Sequence, residues 1–242
     1  LPMNTQIWEQ QFPVMMQNVI NACKKHQCTL VFFDNTYMYA KKSAPQTENS
    51  SFDPVGKKST VRAEMAAMLL EEIHKKSIEA VICRAPEFYG PGKTQSITNT
   101  LIFDNIKQHK KLKVPLKDNT LRTLVWTPDA SRAMALIGNT PNAYGQTWHL
   151  PCDDNRLTYK ALINLASEVY QESFRYSVIK MWMFKLAALF NKQAKELEEL
   201  LPRYRHDNIF ISQKFKTRFP DFKVTTYQEG IPFIKDEQKQ NT

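Results

Sequence analysis

Two short polar segments contain the side chains that could carry acid–base chemistry. The first is DNTYMY at residues 34–39, and the second is RAPEFYGPG at residues 84–92. Carboxylates and phenols can take or give a proton when they are held against a reacting group. The same residues could instead form ordinary turns, with Asp34 and Asn35 bonding to nearby backbone. Which of the two applies depends on the elements that position these segments.

The apolar runs before the two segments are predicted to be buried strands. Residues 28–34, CTLVFFD, and residues 78–83, IEAVIC, are short and rich in strand-forming residues. Residues 58–76, between them, place Met65 and Leu69 on one helical face. Strand, helix and strand in this order predict a right-handed βαβ unit of a doubly wound α/β fold. Ligands of such folds bind beyond the carboxyl ends of the strands, where both polar segments lie.

Periodicity predicts further elements along the chain. Helices are expected at residues 10–26, 98–109, 129–138, 158–171 and 178–201, and strands at residues 123–128 and 146–150.

Composition excludes several classes of protein. The chain has 242 residues, of which 42% are hydrophobic, and a formal charge of +9, so it can build a core and is not disordered. No apolar stretch approaches the roughly 20 residues of a membrane span, and the first residues do not resemble a secretory signal. We therefore expect a cytoplasmic protein with no membrane partner. The basic residues form no unbroken run with stacking aromatics, so we expect no nucleic-acid partner either. The four cysteines lack the spacing of a zinc site.

Five segments in a fixed order carry a family resemblance. They are FFDNTYMY, PVGKKSTVRAE, CRAPEFYGPG, RTLVWTPDASRAMAL and GQTWHL. The series resembles the extended short-chain dehydrogenase/reductase family, the NAD-dependent epimerase/dehydratase group. The resemblance implies a Rossmann-like doubly wound parallel sheet, with residues 1–150 as its C-terminal part and residues 151–242 as a small, mostly helical region that closes over the substrate. It also implies NAD or NADP as cofactor, a nucleotide sugar or related hydroxyl or carbonyl compound as substrate, and a homodimer.

The resemblance further implies an active site from which this sequence departs. The family uses a Ser or Thr after a strand and a Tyr-x-x-x-Lys pair on the next helix, where the phenolate takes a substrate proton as hydride leaves for the nicotinamide. The Ser or Thr position falls on Asn35, and Lys58 matches the lysine. Four residues before Lys58, however, stands Pro54, which cannot transfer a proton.

Three explanations of the missing phenol are open. Tyr37 or Tyr39 could replace it, Tyr37 being the better candidate because Tyr39 matches a tyrosine that packs in the family. Asp34 or Asp53 could act as the base instead. The site could also bind cofactor without catalysing a reaction. The candidate catalytic residues are Asn35, Tyr37 and Lys58.

Other contacts are also implied by the resemblance. Lys58 would hydrogen-bond the nicotinamide ribose, and the backbone around Pro86 and Phe88 would meet the nicotinamide carboxamide. Arg122 would bind the substrate's diphosphate, since a planar guanidinium suits phosphate. Residues 203–205 lie where the closing region could touch substrate.

The glycine-rich turn that holds a dinucleotide diphosphate has no counterpart here. The chain has six glycines and no GxxGxxG, and it lacks the residue that selects NAD or NADP. We therefore expect the sequence to begin midway through the Rossmann domain. The strand at residues 28–34 would then have an unpaired apolar edge, which favours aggregation.

Overall fold

The computed structural model describes residues 7–191, 195 and 198–240. The helices are α1 Trp8–His26, α2 Lys57–His74, α3 Asp104–Lys107, α4 Thr127–Gly138, α5 Tyr159–Tyr170, α6 Met181–Phe190, α7 Gln213–Arg218 and α8 Tyr227–Gln240. The strands are β1 Leu30–Asp34, β2 Ala80–Arg84, β3 Glu87–Tyr89, β4 Leu112–Pro115, β5 Leu121–Arg122, β6 Leu124–Trp126, β7 Thr147–His149, β8 Leu157–Thr158 and β9 Tyr176–Ile179. A π-helical turn at Asn99–Phe103 runs directly into α3.

A three-stranded parallel sheet in the order β1-β2-β7 contains the predicted βαβ unit. β2 lies between two partners and all its residues are buried, whereas β1 is only partly covered. Within the described residues β1 pairs with β2 alone. The register places Asp34 beside Arg84, and Arg84 beside His149, so three polar side chains meet where the strands end.

Helices cover both faces of this sheet, as a doubly wound fold requires. Residues of β2 alternate between the two sides because successive strand side chains point to opposite faces. Ile82 packs with α1 and α2 through residues such as Phe12 and Leu69, while Cys83 packs with α4 through residues such as Ile137. The apolar stripe of α2 is therefore used against α1 inside the chain, and the homodimer stays a prediction.

A second core includes residues from the region expected to close over a substrate, and we refer to it as the closing region. β4 pairs in parallel with β9, and β5 pairs antiparallel with β8. The shared core includes Phe103, Trp126, Leu162 and Ile231. Both strand pairs join residues before and after position 150, so the closing region is built from segments on both sides of the predicted boundary.

The predicted helix at residues 178–201 is replaced by shorter elements. Tyr176–Ile179 forms β9, Met181–Phe190 forms α6, and Leu201–Arg205 forms a 3₁₀ turn. Part of the predicted span lies outside the described residues. β9 exists because its aromatic and β-branched residues meet a partner some 60 positions earlier in the chain, at Leu112–Pro115. Among the described residues, no helix has the length and apolar character needed to cross a bilayer.

Candidate functional site

A cavity of about 450 Å³ lies at the carboxyl ends of β1 and β2. The predicted residues Asn35, Tyr37, Pro86 and Phe88 all line it. Phe88 also packs against Phe33, with ring centroids 5.9 Å apart, so one wall of the cavity is apolar and aromatic. The structure thus brings four of the predicted site residues to one place.

Asn35 and Tyr37 form a tight turn at the end of β1. The Asn35 side-chain oxygen accepts a hydrogen bond of 2.9 Å from the backbone N–H of Tyr37. The ring of Tyr37 lies under the guanidinium of Arg203, at 5.5 Å, and Arg203 also donates to Thr36 Oγ1 at 3.4 Å. The asparagine therefore sets the turn that presents the tyrosine, and Arg203 covers the ring.

Tyr37 also reaches a larger cavity of about 1100 Å³, which Lys58 lines. Trp8 and Leu200 contribute to both cavities, so the two are adjacent. Lys58 lies at the start of α2 and is 8% exposed. Tyr37 is thus the candidate residue that lines both the cavity of Pro86 and Phe88 and the cavity of Lys58.

The beginning of α2 is held by a carboxylate from far along the chain. Glu199 accepts hydrogen bonds from the backbone N–H groups of Lys58, at 3.2 Å, and Ser59, at 3.1 Å. The residue before the helix, Gly56, has a φ of 96°, and a Cβ there would lie 2.5 Å from Glu199 Cδ. A negative group is favourable at this end of a helix. These bonds hold Glu199 at the start of α2, and the neighbouring Leu200 lines both cavities.

A buried polar network lies behind the cavity, where the strands end. Arg84 donates to Asp34 Oδ2 at 3.0 Å and to the Tyr39 hydroxyl at 2.7 Å, and the same hydroxyl is 2.8 Å from His149 Nε2. Burial raises the pKa of Asp34, although Arg84 and Arg62 oppose the shift, and burial lowers the pKa of His149 to about 3. Tyr39 is 1% exposed and fully engaged. This tyrosine joins strands and is not positioned to act on a substrate.

The alternative bases have little support from their positions. Asp34 lines the cavity, but its carboxylate is held by Arg84 and lies 4.0 Å from Arg62. Asp53 is exposed, and its backbone N–H donates to Met38.

Arg122 is placed differently from the role that the family resemblance implies. Its side chain is 1% exposed, donates to Glu87 Oε2 at 3.0 Å and stacks at 4.4 Å on the ring of Tyr204. Glu87 Oε1 also accepts from Tyr204 at 2.9 Å and from Tyr159 at 3.1 Å. Glu87 and Tyr204 line the cavity. Because Arg122 lies behind them and is already neutralised, this geometry gives no support to a contact between Arg122 and a substrate diphosphate.

Several residues of the site were not predicted from the sequence. His149, Glu87 and Glu199 each act through partners that are 35 to 141 positions away in the chain. Glu87 had a weak sequence signal, because it stands in the segment after the second strand. His149 and Glu199 had none beyond their positions at the ends of predicted elements.

Comparison with known proteins gives a family and a fold. The model of the NAD dependent epimerase/dehydratase family matches residues 6–150. UDP-glucuronic acid 4-epimerase from Bacillus cereus, solved with NAD, aligns with 93% of this chain at a TM-score of 0.72 and 15% identity, and the chain covers 66% of that structure. dTDP-glucose 4,6-dehydratase from Bacillus anthracis aligns with 93% of the chain at a TM-score of 0.70 and 16% identity, and the chain covers 66% of that structure. UDP-N-acetylglucosamine 4-epimerase from Methanobrevibacter ruminantium M1 aligns with 94% of this chain at a TM-score of 0.73 and 14% identity, and the chain covers 68% of that structure.

No curated protein matches the chain significantly in sequence. The chain spans about two thirds of the length of the solved structures it resembles. At these identities the structural likeness shows the fold, and it confirms the predicted Rossmann-like α/β architecture.

Proposed function

The chain belongs to the NAD-dependent epimerase/dehydratase family, and on this premise we propose that it holds the nicotinamide end of NAD or NADP beside Tyr37 and acts on a hydroxyl or carbonyl substrate, such as a nucleotide sugar. The observation that carries the proposal is the position of Tyr37. It lines both the cavity of Pro86 and Phe88 and the cavity of Lys58. In this proposal Tyr37 takes the place of the phenol that Pro54 lacks.

The described residues fit one end of the cofactor and not the other. An apolar, aromatic wall at Phe88 and a lysine at the start of α2 suit a nicotinamide ring and its ribose. The described residues offer no binding turn for the diphosphate of the cofactor, because no described helix begins with a glycine-rich turn directly after a strand. The described residues therefore suit the nicotinamide riboside end of the cofactor.

Each residue has a distinct task in this arrangement. The bound nicotinamide supplies a reversible hydride acceptor. Lys58 binds the ribose hydroxyls, Asn35 orients the turn, and the Tyr37 hydroxyl exchanges a proton with a substrate hydroxyl or carbonyl. The neighbouring guanidinium of Arg203 keeps the ring of Tyr37 in the cavity.

Cofactor binding by the 242-residue chain is the first test. Titration with NADH, followed by its fluorescence, should give saturable binding that Lys58→Met weakens about tenfold, the loss expected for one charge-assisted hydrogen bond. Lys57→Met is the matched control, because Lys57 is an exposed neighbour whose side chain pairs with Glu9. Equal affinity of the wild type and Lys58→Met, or no binding at all, would contradict the proposed site.

Turnover tests the role of Tyr37. Assays with UDP-glucose and UDP-glucuronic acid should show activity that Tyr37→Phe lowers at least a hundredfold, the size of a general acid–base contribution. Tyr144→Phe is the control, since that hydroxyl bonds to Gly138 O away from the cavities.

A second candidate function is a cofactor-binding sensor or scaffold without catalysis. It is favoured by Pro54, which removes the titratable group from its usual position. Binding that depends on Lys58, together with no turnover above background in the wild type or in the Asn35→Ala and Tyr37→Phe variants, would select this alternative. The cytoplasmic location of the protein and its assembly as a homodimer stay predictions from the sequence.

A further inference from the structure

Helix α6 has an apolar face that nothing in the described part of the chain covers. Its exposed large side chains are Trp182 (65% exposed), Met183 (41%), Leu186 (54%), Leu189 (74%) and Phe190 (87%). These positions follow the i, i+1, i+4, i+7, i+8 pattern, so they form one stripe along the helix. None of the helix residues is fully buried.

The opposite face of α6 is the one that packs on the protein. Met181 and Phe184 contact the core of the closing region, and Phe184 lines the cavity of about 1100 Å³. The helix is therefore apolar on both sides, toward the core and toward solvent. A helix with this pattern in a globular protein is normally covered on both sides, so the outward stripe requires a partner.

The charges around the stripe indicate which partner fits. Lys185 lies at one side of the stripe on the helical wheel, and Lys180, directly before the helix, lies at the other; both are exposed. From position 173 to position 195 the sequence contains basic residues and no Asp or Glu. An exposed apolar stripe with Trp, Leu and Phe suits the interface of a bilayer, and lysines at its sides place their ammonium groups at the level of the lipid phosphates.

We infer that α6 is a docking surface for an anionic lipid bilayer, with its stripe in the interface and its axis parallel to the membrane. Ten residues, or about 15 Å of helix, are too short to span but sufficient to lie in the headgroup region. Lys180 and Lys185 add attraction to anionic headgroups. This inference departs from the sequence-based expectation of no membrane partner, which rested on the lack of a spanning stretch and of a secretory signal. It does not depend on cofactor binding or turnover.

Vesicle sedimentation with the 242-residue chain tests the inference. Vesicles of phosphatidylcholine with phosphatidylserine should bind the protein, and vesicles of phosphatidylcholine alone should bind it much less. In the double variant Lys180→Gln, Lys185→Gln, the affinity for anionic vesicles should fall roughly fivefold for each lysine removed. The control is Lys110→Gln with Lys111→Gln, which removes the same charge at another exposed site. Its affinity for anionic vesicles should fall much less.

The apolar contribution is tested separately. Leu186→Gln with Leu189→Gln should weaken binding more than tenfold, because each leucine loses its apolar contact with the bilayer. Both side chains are exposed, so the variant should fold. Val14→Gln, at a site that is 58% exposed on α1, is the matched control and should leave binding unchanged. Tryptophan emission should shift to the blue on binding, and the shift should be lost in Trp182→Phe.

Three results would overturn the inference. The first is equal sedimentation with and without anionic vesicles. The second is binding that the α6 variants do not change. The third is a chain that forms dimers in the absence of lipid, becomes monomeric in Leu186→Gln with Leu189→Gln, and does not bind vesicles; the stripe would then be a surface between two copies.

Discussion

Two buried carboxylate–guanidinium pairs follow each other along the chain, and their hydrogen bonding differs. Asp34 bonds to Arg84 from the neighbouring strand, but its Oδ1 has no hydrogen-bond partner. Glu87 bonds to Arg122, and its other oxygen accepts from three hydroxyl groups. Asp34 and Glu87 are both almost inaccessible to water. The difference therefore lies in the number of donors and not in burial.

The difference shows in their protonation and in what they hold together. Burial raises the pKa of Asp34 despite its arginine neighbours. Burial would also raise the pKa of Glu87, but Arg122, Arg203 and the hydrogen bonds lower it overall. Asp34 joins two adjacent strands, whereas Glu87 on β3 binds side chains from β5, α5 and the 3₁₀ turn at Leu201–Arg205. A buried carboxylate with several hydrogen-bond donors thus stabilises the contact between distant parts of the chain more than one with few donors does.

The largest effect is expected when Glu87 is removed. Glu87→Leu leaves the Arg122 charge and three hydroxyls without their acceptor, so we expect the free energy of unfolding to fall by about 3–5 kcal/mol. Urea denaturation followed by circular dichroism measures it. Glu64→Leu, at an exposed position on α2, should change stability by no more than about 0.5 kcal/mol. A loss below about 1 kcal/mol in Glu87→Leu would show that the hydroxyl donors contribute little.

A smaller loss is expected at the other pair. Asp34→Leu removes a carboxylate whose burial is incompletely offset, and Arg84 keeps its hydrogen bond to Tyr39. We expect the free energy of unfolding to fall by about 2 kcal/mol, the range for leaving a charged group partly unpaired. The same denaturation experiment compares it with Glu87→Leu. A greater loss in Asp34→Leu would reverse the order of the two pairs.

The histidine attached to the Asp34 network should make stability sensitive to acid. The folded pKa of His149 is about 3, below its ordinary value of 6.5, so its contribution is present above pH 6.5 and is lost as the pH falls toward 3. The free energy of unfolding should fall by about 1.4 kcal/mol per pH unit in this window. Denaturation between pH 7 and pH 5 should show a shallower slope in His149→Gln. His26→Gln, at the exposed end of α1, is the control and should keep the wild-type slope.

The smallest effect is an opposite pH dependence of the two carboxylates. The contribution of Glu87 is present above pH 4.5 and is lost as the pH falls through its lowered pKa, whereas that of Asp34 is present below pH 3.8 and is lost as the pH rises through its raised pKa. The difference in the free energy of unfolding between wild type and Glu87→Gln should therefore become smaller in acid. The corresponding difference between wild type and Asp34→Asn should become larger. Differences that change in the same direction would contradict the assigned shifts.

The sequence predicted the sheet and its helices better than the closing region. The strands near residues 30 and 80 and helix α2 follow from local apolar patterns, which the final fold keeps. The strand at Tyr176–Ile179 was missed, because its partner at Leu112–Pro115 is distant in the chain and gives no local signal.

The site was predicted in part for the same reason. Asn35, Tyr37, Pro86 and Phe88 come together because parallel strands end at one edge of a sheet, which the sequence pattern already implies. The surroundings of Arg122 could not be predicted. Its pairing with Glu87 depends on how strands β3 and β5 pack with Tyr159 and Tyr204, and residue types alone do not specify that packing.

The sequence by itself thus determined the α/β class, the helical and strand character of the βαβ unit and the edge at which its polar segments meet, since all of these follow from periodicity and chain direction. The tertiary structure alone decided which buried charges pair, that Glu199 holds the start of α2, and that one face of α6 is left exposed. These features depend on contacts between segments far apart in the chain, whose free energies exist only once the chain is folded.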